Sequence, residues 1–226
     1  MITIQDLTMS YGNHTILKNI NIEFDEGKVY GIVGKNGAGK TSLFRCIAGL
    51  EKYDGIINSS YNPLKNHLGL LLTEPFFFEK ITGKEYIQLL CNARKTPIND
   101  IESRNVFDLP LNQYATTYST GMKKKLALTA ILLQRNEYFI LDEPFNGVDI
   151  ESNILLTEII HTLKKLGKTV IISSHIFSTL SDTCDEINLL SEGSIVKSVQ
   201  RENFQSLETE MKQMTVGNRI EKLGLL

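Results

Sequence analysis

No CxxC pair, no long apolar run and no excess of either charge occurs in this chain of 226 residues. Each shortage excludes a class. Three cysteines, Cys46, Cys91 and Cys184, are odd in number and far apart. That spacing fits neither a zinc site nor a disulfide framework, and suits reduced thiols in a cytosolic protein. No apolar run approaches the roughly 18 residues of a membrane span. The opening MITIQDLTMSYG has no basic stretch followed by an apolar one, so it does not read as a signal peptide. Any membrane role is therefore expected to come through a partner. With 24 basic and 26 acidic residues the net charge is −2, without the basic excess of a general nucleic-acid binder. Internal repeats and low-complexity linkers are missing too.

What is present is an ordinary globular composition, 42% hydrophobic and 22% charged, long enough for one large domain or a core with a small subdomain. Met1–Leu7 and Ile16–Phe24 alternate like strands. Lys28–Val33 (KVYGIV) is a compact apolar run, as expected of a strand buried on both faces. Thr41–Ala48 reads as a helix. From about Thr82 to Leu133 helix formers dominate, around a turn-prone stretch at Lys95–Tyr118. Then come a buried strand at Tyr138–Leu141, an amphipathic helix at Glu151–Leu166 and a second buried strand at Val170–Ser173. Strands at Ile187–Leu190 and Ser194–Ser198 follow, joined at Glu192-Gly193. Strands alternating with helices predict an α/β fold. One domain spans 1–226: a core of 1–75 and 134–200, an inserted helical subdomain at about 76–133, and a polar, mostly helical tail at about 201–226.

GKNGAGKT, covering Gly34, Lys35, Asn36, Gly37, Ala38, Gly39, Lys40 and Thr41, fits GxxxxGK[ST] at every fixed position. It lies between a predicted strand and a predicted helix, the context that confirms a phosphate loop. Glycines let the backbone wrap a phosphate with its N–H groups inward, and the helix N-terminus adds its dipole. Lys40 is expected between the β- and γ-phosphates. Thr41 offers a hydroxyl to Mg²⁺, and Ser42 reaches another phosphate oxygen. The sequence holds one such loop.

YFILDEP (138–144) supplies the carboxylates. Asp142 falls at the carboxyl end of a buried strand, where open α/β sheets bind ligands. It is placed to hold Mg²⁺ through water, and Glu143 to orient and deprotonate the attacking water. VIISSH (170–175) is a second apolar strand with a polar tip, which puts His175 on the same sheet edge, within reach of the γ-phosphate and of Glu143. His14, His67 and His161 have no such setting.

Together these motifs resemble an ATP-binding cassette (ABC) ATPase, over nearly the whole chain. Tyr11, in MSYGN, matches the aromatic that stacks on adenine. YSTGM (118–122) stands where the family signature LSGGQ belongs, NGVD (Asn146–Asp149) matches the D-loop, and His175 matches the switch histidine. The resemblance implies a P-loop NTPase fold with a mostly parallel core sheet, an antiparallel β subdomain and an inserted helical subdomain. It implies ATP hydrolysis with Mg²⁺, and two cassettes paired head to tail. Ser119 and the N–H of Gly121 would then grip a γ-phosphate held by the opposite subunit. It also implies a homodimer or a related second subunit, a separate polytopic permease, no nucleic acid, and a place at the cytoplasmic face of the membrane. The wording YSTGMKKKLAL is similar to ATPase subunits of bacterial multidrug, bacitracin-type and lantibiotic-immunity exporters. ABC proteins of ribosomes or DNA usually carry two cassettes or long coiled-coil insertions, and this sequence has neither.

There are departures. Tyr118, Thr120 and Met122 replace family residues of the signature. In LGLLLTEPFFF (68–78) the place of the family's Q-loop glutamine falls on Thr73, with Glu74 beside it, so a contact to metal or water falls to one or the other. The run Phe76–Phe78 is either core or an exposed patch for the permease. Lys123, Lys124 and Lys125 lie at a helix N-terminus, the unfavourable end for cations. Lys124 and Lys125 are expected to be solvated, and Lys123 to help steer two subunits together.

Overall fold

The structure, a computed structural model, describes residues 1–216; the last ten residues of the expected tail lie outside that range. Two sheets organise the chain. β1 (Ile2–Tyr11), β2 (His14–Phe24) and β4 (Asp54–Ser59) form an antiparallel sheet in the order β2-β1-β4. The main sheet has six strands in the order β5-β6-β7-β3-β8-β9. These are β5 (Leu68–Leu71), β6 (Tyr138–Asp142), β7 (Thr169–Ser174), β3 (Val29–Val33), β8 (Glu186–Ser191) and β9 (Ser194–Gln200). Its first five strands are parallel and β9 closes the edge as an antiparallel hairpin.

The parallel strands are apolar because both faces are covered. Every residue of β3, β6 and β7 is buried. One face packs on α1 (Lys40–Ile47) and the antiparallel sheet, through Ile2, Ile4, Phe24, Leu43, Phe44 and Tyr138. The other packs on α3 (Thr120–Leu133), α4 (Ile150–Lys165) and α5 (Phe177–Thr183), through Leu128, Ile160 and Leu180 among others. A third cluster joins α2 (Gly83–Ala93) to α3 and the loop between them, with Ile87, Cys91, Ile101, Leu111 and Tyr118 inside. α3 serves both clusters: Leu126 and Ala130 face the helical side, Ala127, Leu128 and Ile131 the sheet. Its consecutive buried residues explain why it has no clean amphipathic stripe.

Helix starts follow local chemistry. Thr82 and Glu85 form a capping box at α2. Ser119 caps α3 through the N–H of Met122, and Asp149 caps α4 through that of Ser152.

Several expectations change. β1 and β2 run on to a tight turn at 12–13, because polar residues such as Ser10 and Thr15 continue the ladder on the open face and bond each other across it (3.1 Å). β4 was not legible as a strand, since most of it is an exposed edge. The tail is not simply polar: in α6 (Phe204–Val216), Phe204 and Leu207 are buried against the second cluster. All three cysteines are free and buried. Burial pushes the thiol of Cys46 up to about 11 and that of Cys184 up to about 12, so these thiols stay protonated and unreactive. Among the described residues no helix is long and apolar enough to cross a membrane.

Candidate nucleotide-binding and hydrolysis site

The register of the parallel sheet brings the site together. Asp142 pairs with Ser173, Val33 with Ser174 and Leu71 with Leu141, so β5, β6, β7 and β3 end nearly level. The loops after these strands carry Thr73, Glu143, His175 and Gly34–Gly39. They border a cleft of about 430 Å³, which is also lined by Lys40, Thr41, Ser42, Asp142 and Asn146.

The loop needs glycine for two different reasons. At Gly34 a Cβ would sit 2.4 Å from the carbonyl oxygen of Leu190. Gly39, the N-cap of α1, has φ 108° and would meet Leu17 at 2.8 Å. No side chain caps α1 and no acid stands in its first turn. Its N–H groups are therefore left for an anion. Lys40 is buried, with Nζ donating to the carbonyls of Gly34 (2.8 Å) and Lys35 (3.4 Å) and lying 3.7 Å from Glu143 Oε1.

Asp142 collects three hydroxyls. Thr41 Oγ1 (2.6 Å) and Thr73 Oγ1 (2.7 Å) donate to one carboxylate oxygen, and Ser173 Oγ (2.5 Å) to the other. Thr73, not Glu74, thus fills the space beside Asp142; Glu74 is exposed and outside the cleft lining. One carboxylate among hydroxyls is a hard oxygen set that suits Mg²⁺, an ion that keeps waters and substrate phosphates as its other ligands.

Glu143 lies between His175 and Lys40. Its Oε2 is 2.8 Å from His175 Nδ1, and its Oε1 faces Lys40. That short contact takes one proton between Nδ1 and Oε2, and it fixes the ring against the carboxylate. Glu143 also has φ 50°, an uncommon conformation for a non-glycine residue.

The remaining predicted residues are not in the cleft lining. Tyr11 lies near Ser42, half exposed, with its hydroxyl donating to Glu51 (3.1 Å). Ser119 caps α3, and Gly121 in its first turn lies against the D-loop: a Cβ on Gly121 would meet the Gly147 carbonyl at 2.5 Å. Asp149 binds Lys125 (3.0 Å) as well as its own helix. These bonds hold its carboxyl well below the usual carboxylate range, the Ser152 backbone N–H first and Lys125 next.

Two expectations about the lysines are wrong. Lys124 is not solvated: it is 3% exposed, and its ammonium donates to the carbonyls of Glu143 (2.7 Å) and Asn146 (2.8 Å). Lys125 is not free either, being tied to Asp149 and the Ser152 hydroxyl. Three consecutive lysines look like surface charge, yet successive helix positions point in directions about 100° apart, and two of these directions face the D-loop. Ser173 was also missed. The only signal was the pair of serines at the tip of a buried strand. Of the three phenylalanines, Phe77 turns inward onto Tyr86 (centroids 4.5 Å apart). Phe76 and Phe78 are 73% and 56% exposed and stack edge to face.

Comparison with known proteins bears on the family and the fold. The family model described as ABC transporter matches residues 17–146. The chain is 32% identical over 221 residues to the lantibiotic transport ATP-binding protein SrtF of Streptococcus pyogenes, covering 92% of this chain and 94% of that one. It is 32% identical over 223 residues to the bacitracin transport ATP-binding protein BcrA of Enterococcus faecalis, covering 88% and 69%. In fold it is similar to a dimeric ATP-binding cassette solved in a post-hydrolysis state with ADP and Pi, with a TM-score of 0.79, 17% identity, and 89% and 99% of the chains covered.

Proposed function

The chain belongs to the ABC transporter family of ATPases, and from that premise we propose that it is the ATP-hydrolysing subunit of a bacterial exporter, driving a separate membrane permease. The cargo class is a peptide antibiotic or drug, as the names of the lantibiotic and bacitracin relatives suggest. One observation carries the hydrolytic reading: Asp142 with its three hydroxyls and Glu143 with Lys40 and His175 meet at one sheet edge, beside a helix N-terminus left open for phosphate.

In this reading Lys40 leaves the loop carbonyls for the β- and γ-phosphates, while Tyr11 stacks on the adenine and Gly34–Ser42 wrap the phosphates. Thr41 and Asp142 would hold Mg²⁺, with Thr73 in support. Mg²⁺ when bound neutralises charge on the β- and γ-phosphate oxygens. Glu143 accepts a proton from water as its oxygen bonds to the γ-phosphorus, and the bond to the bridging oxygen breaks. His175 keeps Glu143 in line through Nδ1 and, with a proton on Nε2 as well, donates to the γ-phosphate. Ser119 and the N–H of Gly121 grip the γ-phosphate of a second copy, with Asn146–Asp149 at the dimer interface. ATP thus closes a homodimer and hydrolysis opens it.

The permease would dock near the exposed Phe76 and Phe78, on the edge of the helical subdomain at about 76–133. In this reading the core is 1–75 with 134–200, and a further segment begins at about 201. The chain would then work at the cytoplasmic face of the membrane.

The test is Glu143→Gln. ATP binding is expected to persist and a stable dimer to accumulate in size-exclusion chromatography, with hydrolysis down by roughly 10²–10⁴-fold. Hydrolysis at the wild-type rate would remove Glu143 from its role. Co-purification with ribosomes instead of a polytopic membrane protein would overturn the transport reading.

A further inference from the structure

A buried lysine whose partners are backbone carbonyls is unusual, because an ammonium out of water normally needs a carboxylate. Lys124 is such a residue, 3% exposed and bonded to the carbonyl oxygens of Glu143 and Asn146. Those two carbonyls belong to the turn that carries the proposed base. The Glu143 peptide is held at both ends: its N–H donates to Ser173 Oγ (3.0 Å), and its carbonyl accepts from Lys124 Nζ (2.7 Å) and more loosely from the Asn146 N–H (3.2 Å). The φ of 50° at Glu143 lies in a region where a non-glycine residue stays only when its surroundings hold it. Removing Lys124 leaves the carbonyl with the weaker of its two bonds, and the turn is then free to relax.

We infer that Lys124 is a positioning residue for Glu143, aiming its carboxylate into the cleft by holding the 143–146 turn. Lys124 stands one turn along α3 from Gly121, whose bare Cα face packs on the Gly147 carbonyl. The end of α3 and the 143–147 turn are thus tied at two points. Whatever seats that end, including a phosphate on a second copy, also sets the angle of the base. Burial pushes the Lys124 ammonium toward losing its proton, and the neighbouring Glu143 and Asp142 carboxylates oppose that.

The inference rests on the hydrolytic reading of Glu143, and a mutant cycle separates the two. Full-length wild type, Lys124→Met, Glu143→Gln and the double variant are compared in ATP hydrolysis, nucleotide binding and thermal melting. Lys124→Met is expected to lower kcat by roughly 10–100-fold, the scale of a misplaced catalytic group, with KM for ATP and nucleotide affinity unchanged. In single-turnover assays of the Glu143→Gln background the same substitution should cause no further loss, because its effect passes through Glu143. Should Lys124→Met not fold, Lys124→Arg applies the same test with the donors displaced, and again kcat alone should fall. Unchanged kcat, or an equal loss in both backgrounds, overturns the inference. A wild-type rate in Glu143→Gln would instead strike the hydrolytic reading itself.

Discussion

Two helix N-termini in this molecule have nearly the same electrostatics and different fates. Neither α1 nor α3 carries an acid in its first turn, so both ends stay positive. At α1 the cap is a glycine that makes no side-chain bond, and the helix end opens into a cleft walled by the ends of four parallel strands. At α3 the cap is Ser119, which satisfies one N–H itself, and the helix end lies against the D-loop turn, outside the cleft. The lysines divide the same way. Lys40 rests on two loop carbonyls, 3.7 Å from Glu143 and inside the cleft lining. Lys124 and Lys125 are committed to the chain's own 143–152 segment. The first end opens on the cleft; the second, in the proposed reading, supplies half of a site that a second copy completes.

That contrast can be broken first at α1. Lys40→Ala removes the ammonium proposed for the phosphates and should weaken ATP binding of the isolated chain roughly 10–100-fold, measured by titration calorimetry. Unchanged affinity would mean that the α1 end does not hold the triphosphate.

Gly121→Ala tests the α3 end. The added methyl is forced against the Gly147 carbonyl, so a loss of about 1–3 kcal/mol in denaturant unfolding is expected. Binding of ATP to the monomer should stay as in wild type while hydrolysis falls. A fall in monomer affinity would show that the two ends are not separate.

The smallest effect concerns Asp149, whose carboxyl is depressed below its ordinary 3.8 by the Ser152 N–H and Lys125. A depressed acid stabilises the fold above its unfolded value, and that contribution is lost as pH falls through the folded value. Asn keeps the helix cap but not the charge. Wild type should therefore exceed Asp149→Asn in urea midpoint at pH 7, with the gap shrinking only below about pH 3.8. A gap that does not depend on pH would mean the charge is irrelevant.

Much of this was readable from local pattern. The strand–loop–helix at 28–48 and the carboxylates after Tyr138–Leu141 needed only apolar runs and fixed spacing. β4 and the far ends of β1 and β2 were not readable, because edge and open-face residues carry little hydrophobic signal. Ser173 was hidden for another reason. A serine at a strand tip has no distinctive pattern until the parallel register sets it opposite Asp142. The lysine triplet misled for the same reason, since adjacent helical residues share composition but not direction.

By itself, the order of residues determined the chemistry available: a glycine loop ending in Lys-Thr, two carboxylates after a buried strand, and a histidine after the next. These depend on neighbours a few positions apart, which sequence records directly. Tertiary structure alone decided that Thr73 rather than Glu74 reaches Asp142, that Phe77 turns in while Phe76 and Phe78 turn out, and that Lys124 reaches the Glu143 turn. Each of those is a contact between segments 9 to 69 positions apart. Sheet register and helix rotation set such contacts, and no local pattern encodes either.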